Sequence, residues 1–248
     1  MNCEEAIMKN SGPFTKMHCQ TCKVGLRSAL CHLEEEGLKE CDEHKTTHRY
    51  TKGQVIFYAG NRASGLYCIF SGCVKLFKSG VDGKEQTVQL LGPGELLGYR
   101  ALLAAEPYSV TAEALEDAVI CCVEKNSFFP LLLKNPELAL DIIKKLSHEL
   151  GMVEDLATSL ATRSVRERMA ELLLILKEAY GKPVAKGTHI ELQLSREEMA
   201  DMIGVTQETA IRLLSEFKKE GLIALAERDV TILNAATLVT IAKLDIEP

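Results

Sequence analysis

The period of the apolar positions changes along this chain, and each change predicts a different element. Between Tyr50 and Val123, short β-rich runs (Val55 to Tyr58, Leu66 to Phe70, Val74 to Phe77, Val88 to Leu91) alternate with turn signals at Gly53, Gly60, Gly72, Asp82-Gly83 and Gly92-Pro93-Gly94. Short strands at this spacing predict a small antiparallel barrel or sandwich. After Asn135-Pro136, a helix-start signal, the apolar residues fall at Ala139, Ile143, Leu146, Leu150, Val153, Ala157 and Leu160. Steps alternating between four and three make a heptad seam, and Lys144, Lys145, Glu149 and Glu154 lie off it. The seam predicts a homodimer interface carried by Ile143, Leu146, Leu150, Val153, Ala157 and Leu160; a single amphipathic helix lying on its own domain is the alternative it leaves open.

Beyond the seam the local signals sharpen. Ser195 followed three residues later by Glu198 is a capping box, so a helix is expected from near Arg196 to Gly204, where the chain can turn. Thr206 can then cap a second helix. In that helix Ala210, Leu213, Leu214 and Phe217 share one face, and Glu208, Ile211, Arg212 and Ser215 share the opposite one. One face packs and the other is free to read DNA. In a helix-turn-helix the second helix enters the major groove, where an arginine fork matches guanine and a carboxylate accepts from cytosine. Glu208 and Arg212 stand one turn apart at the right place for this, although an ordinary i,i+4 surface pair would look the same in isolation. The runs Leu222 to Leu225 and Val230 to Leu233, around Arg228-Asp229, predict the β-hairpin of a winged form.

Composition adds limits. No stretch reaches the roughly 18 apolar residues that span a bilayer, and the start of the chain lacks a run of signal-peptide length, so no membrane association and a cytoplasmic location are expected. The formal charge of −6 means that DNA contact must come from a local basic patch. Nine cysteines in a reducing compartment read as metal ligands, redox groups or small core residues before disulfides. Five of the nine fall within residues 1–45, a segment with one short helical stretch expected around Val24 to Leu38. Something besides an apolar core must order it. Cys19-x2-Cys22-x8-Cys31 with a distant Cys121 has the form of an iron–sulfur ligand set, two or three close thiols and one from elsewhere. The same residues also allow a zinc site, with His18, His32, Cys31 or Cys41 completing a tetrahedron. Cys121 and Cys122 are adjacent on an expected strand, so they face opposite ways and only one can meet a cluster on a given side. Cys68 and Cys73 lie in apolar strand runs and read as core residues, and Cys3 as a terminal thiol. No arrangement of nucleophile, histidine and acid supports enzyme chemistry.

Barrel, long helix and winged helix-turn-helix in this order resemble the family of the cyclic AMP receptor protein and the fumarate and nitrate reduction regulator. The stretch Gly204-Val-Thr-Gln-Glu-Thr-Ala-Ile-Arg-Leu-Leu is its most specific piece. The resemblance implies an α+β fold with four parts: a Cys-rich segment over 1–45, an antiparallel β-roll of the cyclic-nucleotide-binding kind over 46–134, a dimerisation helix over 135–162 and a winged helix-turn-helix over 163–248. It also implies a palindromic double-stranded DNA operator read by Gln207, Glu208, Ile211, Arg212 and Ser215, and RNA polymerase as a partner. Ile211 departs from the small or polar residue usual in the family. Gly94-Glu95-Leu96 resembles the start of the cassette that binds a cyclic nucleotide phosphate, yet Tyr108 stands where its arginine is expected before Ser109. Without that cationic fork no cyclic nucleotide is expected, and Arg100 lies at a different point of the loop.

The cysteines resemble the other branch, in which three amino-terminal cysteines and one on the last barrel strand hold an oxygen-labile 4Fe-4S cluster. That resemblance implies Cys19, Cys22, Cys31 and Cys121 as ligands; Leu115-Glu-Asp-Ala-Val-Ile-Cys121 matches the stretch carrying the fourth. The gap from Cys22 to Cys31 is longer than the family form, which makes Cys41 the alternate for Cys31, as Cys122 is for Cys121. A regulator of the same fold with zinc or haem, and an iron–sulfur enzyme, are the competing classes.

Overall fold

The computed structural model describes residues 18, 19, 22, 24, 33–80 and 83–244. A helix α1 (Glu35–His44) leads into β1 (Lys45–Tyr50), β2 (Val55–Phe57), β3 (Gly65–Ser71), β4 (Val74–Ser79), β5 (Glu85–Leu91) and β6 (Leu96–Leu97). A short helix α2 (Tyr99–Ala104) precedes β7 (Thr111–Ala114) and β8 (Ala118–Glu124), and α3 (Lys125–Lys134) joins β8 to the long α4 (Pro136–Thr162). The strands form two antiparallel sheets, ordered β1-β8-β3-β6 and β2-β7-β4-β5. Period-two alternation turns Tyr67, Ile69, Ala118 and Ile120 inward to meet Phe57, Val74 and Leu91. The two sheets close around this core as a roll.

The helix expected at Val24 to Leu38 is described only at its two ends. Val24 sits in a turn, residues 25–32 lie outside the described residues, and the helix runs over Glu35–His44. Glu35 and Glu36 in its first turn and His44 in its last suit the helix dipole, and Gly37 gives close passage past Leu33 and Leu131. The outer face of the roll sheet, α1, α3 and the first turns of α4 share a second core containing Leu33, Cys41, Leu66, Val123, Phe128, Leu131, Leu138 and Ile142.

After α4 come α5 (Val165–Tyr180), β9 (Gly181–Val184), β10 (Gly187–Ile190), α6 (Arg196–Ile203), α7 (Gln207–Lys219), β11 (Ile223–Ala226), β12 (Asp229–Ile232) and α8 (Ala235–Ala242). Their sheet has the order β11-β12-β10-β9. The core of this unit extends into the roll: Cys73 and Leu115 belong to it, and the Cys73 thiol meets the Tyr180 hydroxyl at 3.4 Å. Gln86 on β5 donates to the Asp201 carbonyl on α6 at 2.5 Å. The two units are therefore packed against each other.

Candidate nucleic-acid interface and thiol site

The helix-turn-helix is built from its caps. Ser195 accepts from the Glu198 amide while the Glu198 carboxylate accepts from the Ser195 amide at 2.5 Å, so α6 starts at Arg196. It ends at Gly204, whose φ of 66° is a left-handed conformation that glycine adopts without strain. Thr206 accepts from the Thr209 amide and starts α7. Ala210, Leu213, Leu214 and Phe217 are buried against the core, and Arg166 lies 4.8 Å over the Phe217 ring while its guanidinium bonds Glu220 at 2.6 Å. These contacts hold α7 from behind.

On the other face Gln207, Glu208, Ile211, Arg212 and Ser215 are all exposed. Glu208, Thr209, Ile211 and Arg212 line a shallow open recess. The Ser215 hydroxyl donates to the Ile211 carbonyl at 2.8 Å, which leaves Gln207, Glu208 and Arg212 as the long polar side chains of the face. Lys218 and Lys219 in the last turn of α7 add local positive charge to a chain of net negative charge.

Along α4 the helix divides in two. Leu138 and Ile142 are buried on the roll, whereas Ile143 is 58%, Leu150 61%, Val153 51% and Leu160 38% exposed, and Ala157 is exposed beside them. Leu146 is half-buried against the second core. Apart from Leu146, the seam residues thus form an exposed apolar stripe along the single chain.

Cys19, Cys41 and Cys68 gather on the outer face of the roll, at the core shared with the first turns of α4. The Cys19 amide donates to Asp42 at 2.8 Å, His18 Nδ1 lies 3.2 Å from the same carboxylate, and Lys45 Nζ donates to it at 2.6 Å. Lys45 Nζ also donates to Cys19 Sγ at 3.1 Å, and Cys19 Sγ lies 3.8 Å from Cys41 Sγ. The Cys41 and Lys45 bonds hold the Cys19 thiol below its ordinary pKa against the effect of burial. Cys41 is pushed up by its bond to Cys19 and by burial. Burial opposes ionisation of Asp42, yet its bonds to Lys45 and the Cys19 amide keep it at about 2. Asp42 and Lys45 together form a charged clamp that fastens Cys19 to the junction of α1 and β1.

Cys121 stands on β8 opposite Thr47 of β1, with its Sγ 3.6 Å from the Thr47 hydroxyl. Its thiol is raised first by burial and then by the charges of Cys19 and Cys22 nearby. Cys122 faces the roll interior, packed against the inner core, with Tyr67 as hydrogen-bond partner and its thiol pushed up to about 11 by burial. Cys31 lies outside the described residues, as do Cys3 and His32. Cys73 is core, 1% exposed; Cys68, also read from sequence as core, is half-buried and packs on the outer core with Cys19 and Cys41. Its signal was the register with Cys121, which no local pattern reveals. Among the described residues, no three His, Cys, Asp or Glu side chains are grouped closely enough to hold one metal ion.

Inside the roll, Tyr108 is 4% exposed and stacks on Phe57 with ring centroids 3.9 Å apart. Glu95 of the cassette accepts from the Gly92 amide at 2.8 Å and pairs with Lys145 of α4. Arg100, read from sequence as misplaced, reaches across to hydrogen-bond the Ser109 hydroxyl.

A β-roll, a long helix with an uncovered apolar face and a winged helix-turn-helix with a free reading face define a two-domain DNA-binding transcription regulator. Residues 47–135 match the family model of the cyclic nucleotide-binding domain, and residues 167–241 that of the Crp-like helix-turn-helix domain. The anaerobic regulatory protein of Aggregatibacter actinomycetemcomitans is 29% identical over 229 residues, covering 91% of this chain and 88% of that protein. The fumarate and nitrate reduction regulatory protein of Vibrio cholerae is 28% identical over 227 residues, covering 91% and 90%. Among solved structures, FixK2 from Bradyrhizobium japonicum has 25% identity and a TM-score of 0.72, covering 81% of this chain and 98% of that one. A CRP/FNR-family transcriptional regulator from Thermus thermophilus has 26% identity and a TM-score of 0.69, covering 80% and 99%. The chain belongs to the CRP/FNR family of bacterial transcription regulators. No helix among the described residues is long and apolar enough to cross a membrane.

Proposed function

We propose that this regulator senses oxygen, or a related oxidant such as nitric oxide, through a 4Fe-4S cluster held by its thiols, and that the cluster governs binding to a palindromic operator and the recruitment of RNA polymerase. The observation that carries this reading is the approach of the local pair Cys19 and Cys22, tied by the Cys22 amide's bond to the Cys19 carbonyl, to the outer face of the roll, where Cys121, about a hundred residues on, also lies. Cys31 is the remaining ligand implied by family resemblance. The named relatives, an anaerobic regulatory protein and a fumarate and nitrate reduction regulatory protein, point the same way.

The donor set suits the group. Each iron of a four-iron cluster takes one thiolate, so the thiolates stand apart instead of crowding one ion. When bound, the cluster supplies an oxygen-labile tie between the amino-terminal segment and the roll. The protein does the rest. Asp42 accepts the Cys19 amide and holds Lys45, whose ammonium against the Cys19 sulfur favours the thiolate needed for ligation. Leu33 and Cys41 pass the position of the segment into the core shared with Leu138 and Ile142 of α4. The stripe from Ile143 to Leu160 then meets its copy in a homodimer and sets two α7 helices about one DNA turn apart. Gln207, Glu208, Ile211, Arg212 and Ser215 face the groove. The roll takes no cyclic nucleotide in this account, because the Tyr108 ring fills the interior and Glu95 is committed to Gly92 and Lys145.

Structural zinc is the second reading, and one distance favours it. Two thiolates about 2.3 Å from a tetrahedral ion lie about 3.8 Å apart, the Cys19 to Cys41 separation. The two readings separate on protein purified without air. The cluster reading expects about four irons and four sulfides per chain with visible absorption that bleaches in air; a colourless protein carrying one zinc would sink it.

A further inference from the structure

The thiol group has a member that neither the spacing of cysteines nor family resemblance assigns. On β3, Leu66 and Cys68 point to the outer core while Tyr67 and Ile69 point into the roll. On β8, Val123 points to the outer core and Ile120 and Cys122 to the inner one, which puts Cys121 on the outer face as well. Cys68 and Cys121 are directly opposed in the antiparallel register of these two strands. Opposed residues carry their Cβ atoms on one face roughly 4.5–5.5 Å apart. The backbone therefore places two thiols side by side, on a rigid sheet, under the segment that carries Cys19 and Cys22.

The surroundings of Cys68 are those of a half-buried donor. It packs against the same outer core as Cys19 and faces Cys121 across the strand register. Cys41, by contrast, lies on α1 and not on the sheet, with its Sγ 3.8 Å from Cys19 Sγ. Two thiols on the segment and two on paired strands are the number a four-iron cluster needs.

We propose that Cys68 is a ligand of the cluster, so that Cys19 and Cys22 from the segment and Cys68 and Cys121 from neighbouring strands form the set. This inference rests on the cluster reading above and changes its ligand set. Two ligands on hydrogen-bonded strands make the roll half of the site rigid, and only the segment half moves when the site empties. Cys41 then hydrogen-bonds Cys19 without ligation, and Cys31 is dispensable.

The test is reconstitution of the full chain with ferrous iron and sulfide in the absence of air, for wild type, Cys68→Ser, Cys68→Ala and Cys31→Ser. Removing a group that only orients a ligand lowers metal affinity about 10–100-fold. Cys68→Ala should bind no four-iron cluster at iron concentrations that saturate wild type. Its metal-free form should keep the wild-type circular dichroism spectrum and melting point. Any cluster retained by Cys68→Ser should show altered iron–ligand vibrations in resonance Raman spectra, a change that packing alone does not produce. Cys31→Ser should load as wild type does. A wild type without a cluster would remove the cluster reading itself. A loaded wild type with loaded Cys68 variants and an empty Cys31→Ser would overturn the Cys68 assignment alone, as would a metal-free Cys68→Ala that has lost its fold.

Discussion

At the scale of single residues, specificity and docking rest on a few groups whose neighbours are fixed. Arg212 is exposed on α7, and nothing on its own face ties it down except proximity to Glu208 one turn earlier. If it forks a guanine, Arg212→Ala should weaken operator binding by roughly 1–3 kcal/mol, leave dimerisation unchanged and affect scrambled DNA little. Fluorescence anisotropy with the two duplexes decides this, and equal losses on both would assign Arg212 to phosphate contact. The reading face was legible in sequence because caps and amphipathic spacing are local: Ser195, Glu198, Gly204 and Thr206 each act within three or four residues. The thiol partners were legible only in part. Cys19 and Cys22 form a local pair, but the opposition of Cys68 to Cys121 depends on sheet register across 53 positions (121 − 68 = 53), and the clamp of Asp42 and Lys45 on Cys19 depends on where α1 ends.

Elements show the same division between local and long-range causes. The four strand runs read from alternation coincide with β2, β3, β4 and β5 to within a few residues. The helix α3 escaped because Pro130 interrupts it and only Phe128 and Leu131 are buried. Likewise α5 buries Met169, Ala170, Leu172, Leu173 and Leu176 at helical spacing, but the less buried Leu174 and Ile175 fill in the apolar run and mask the period. The seam of α4 yields a prediction of its own. Leu150 is 61% exposed in the single chain, and burying it in a dimer contributes roughly 1.5–3 kcal/mol per copy, twice over by symmetry. Leu150→Asp should therefore shift the protein to monomer in sedimentation velocity, leaving its circular dichroism spectrum unchanged and lowering its melting point by the lost dimer contribution. A stable dimer of this variant would place the interface elsewhere.

A second element-scale prediction concerns the contact between β5 and α6. Asp201 is raised to about 6, first by burial and then by the carboxylate of Glu85, with Glu197 and Glu198 adding to the effect and Lys75 opposing it. Lys75 is itself held by Glu85 at 3.1 Å and Glu113 at 3.3 Å. A carboxyl whose pKa is raised by docking binds its proton more tightly docked than free. Docking of α6 on β5 is then weakest above pH 6 and strengthens as the pH falls through 6 toward the ordinary value of 3.8. Hydrogen exchange of α6 amides should slow between about pH 7 and about pH 5 beyond its intrinsic pH dependence. Asp201→Asn should abolish that excess, and an unchanged profile in the variant would remove Asp201 as its source.

For the whole molecule the account is one of coupling between distant sites. The thiol group and the first turns of α4 share a single core through Leu33, Cys41, Phe128 and Leu131. The DNA-binding unit shares another with Cys73 and Leu115 at the far end of the roll. A change in how the segment docks therefore reaches α4 through packed side chains, and α4 carries both the dimer stripe and, beyond it, the reading unit. Coupling of this kind is worth typically about 1–3 kcal/mol between two sites in one chain. The most direct test is operator affinity of the full-length protein, measured without air and again after exposure of the same sample. The account predicts tight binding to a palindromic operator before exposure, and a loss of roughly 5–150-fold afterwards, with binding to scrambled DNA unchanged. The same operator affinity in both states, in protein shown to have lost its iron, would contradict it.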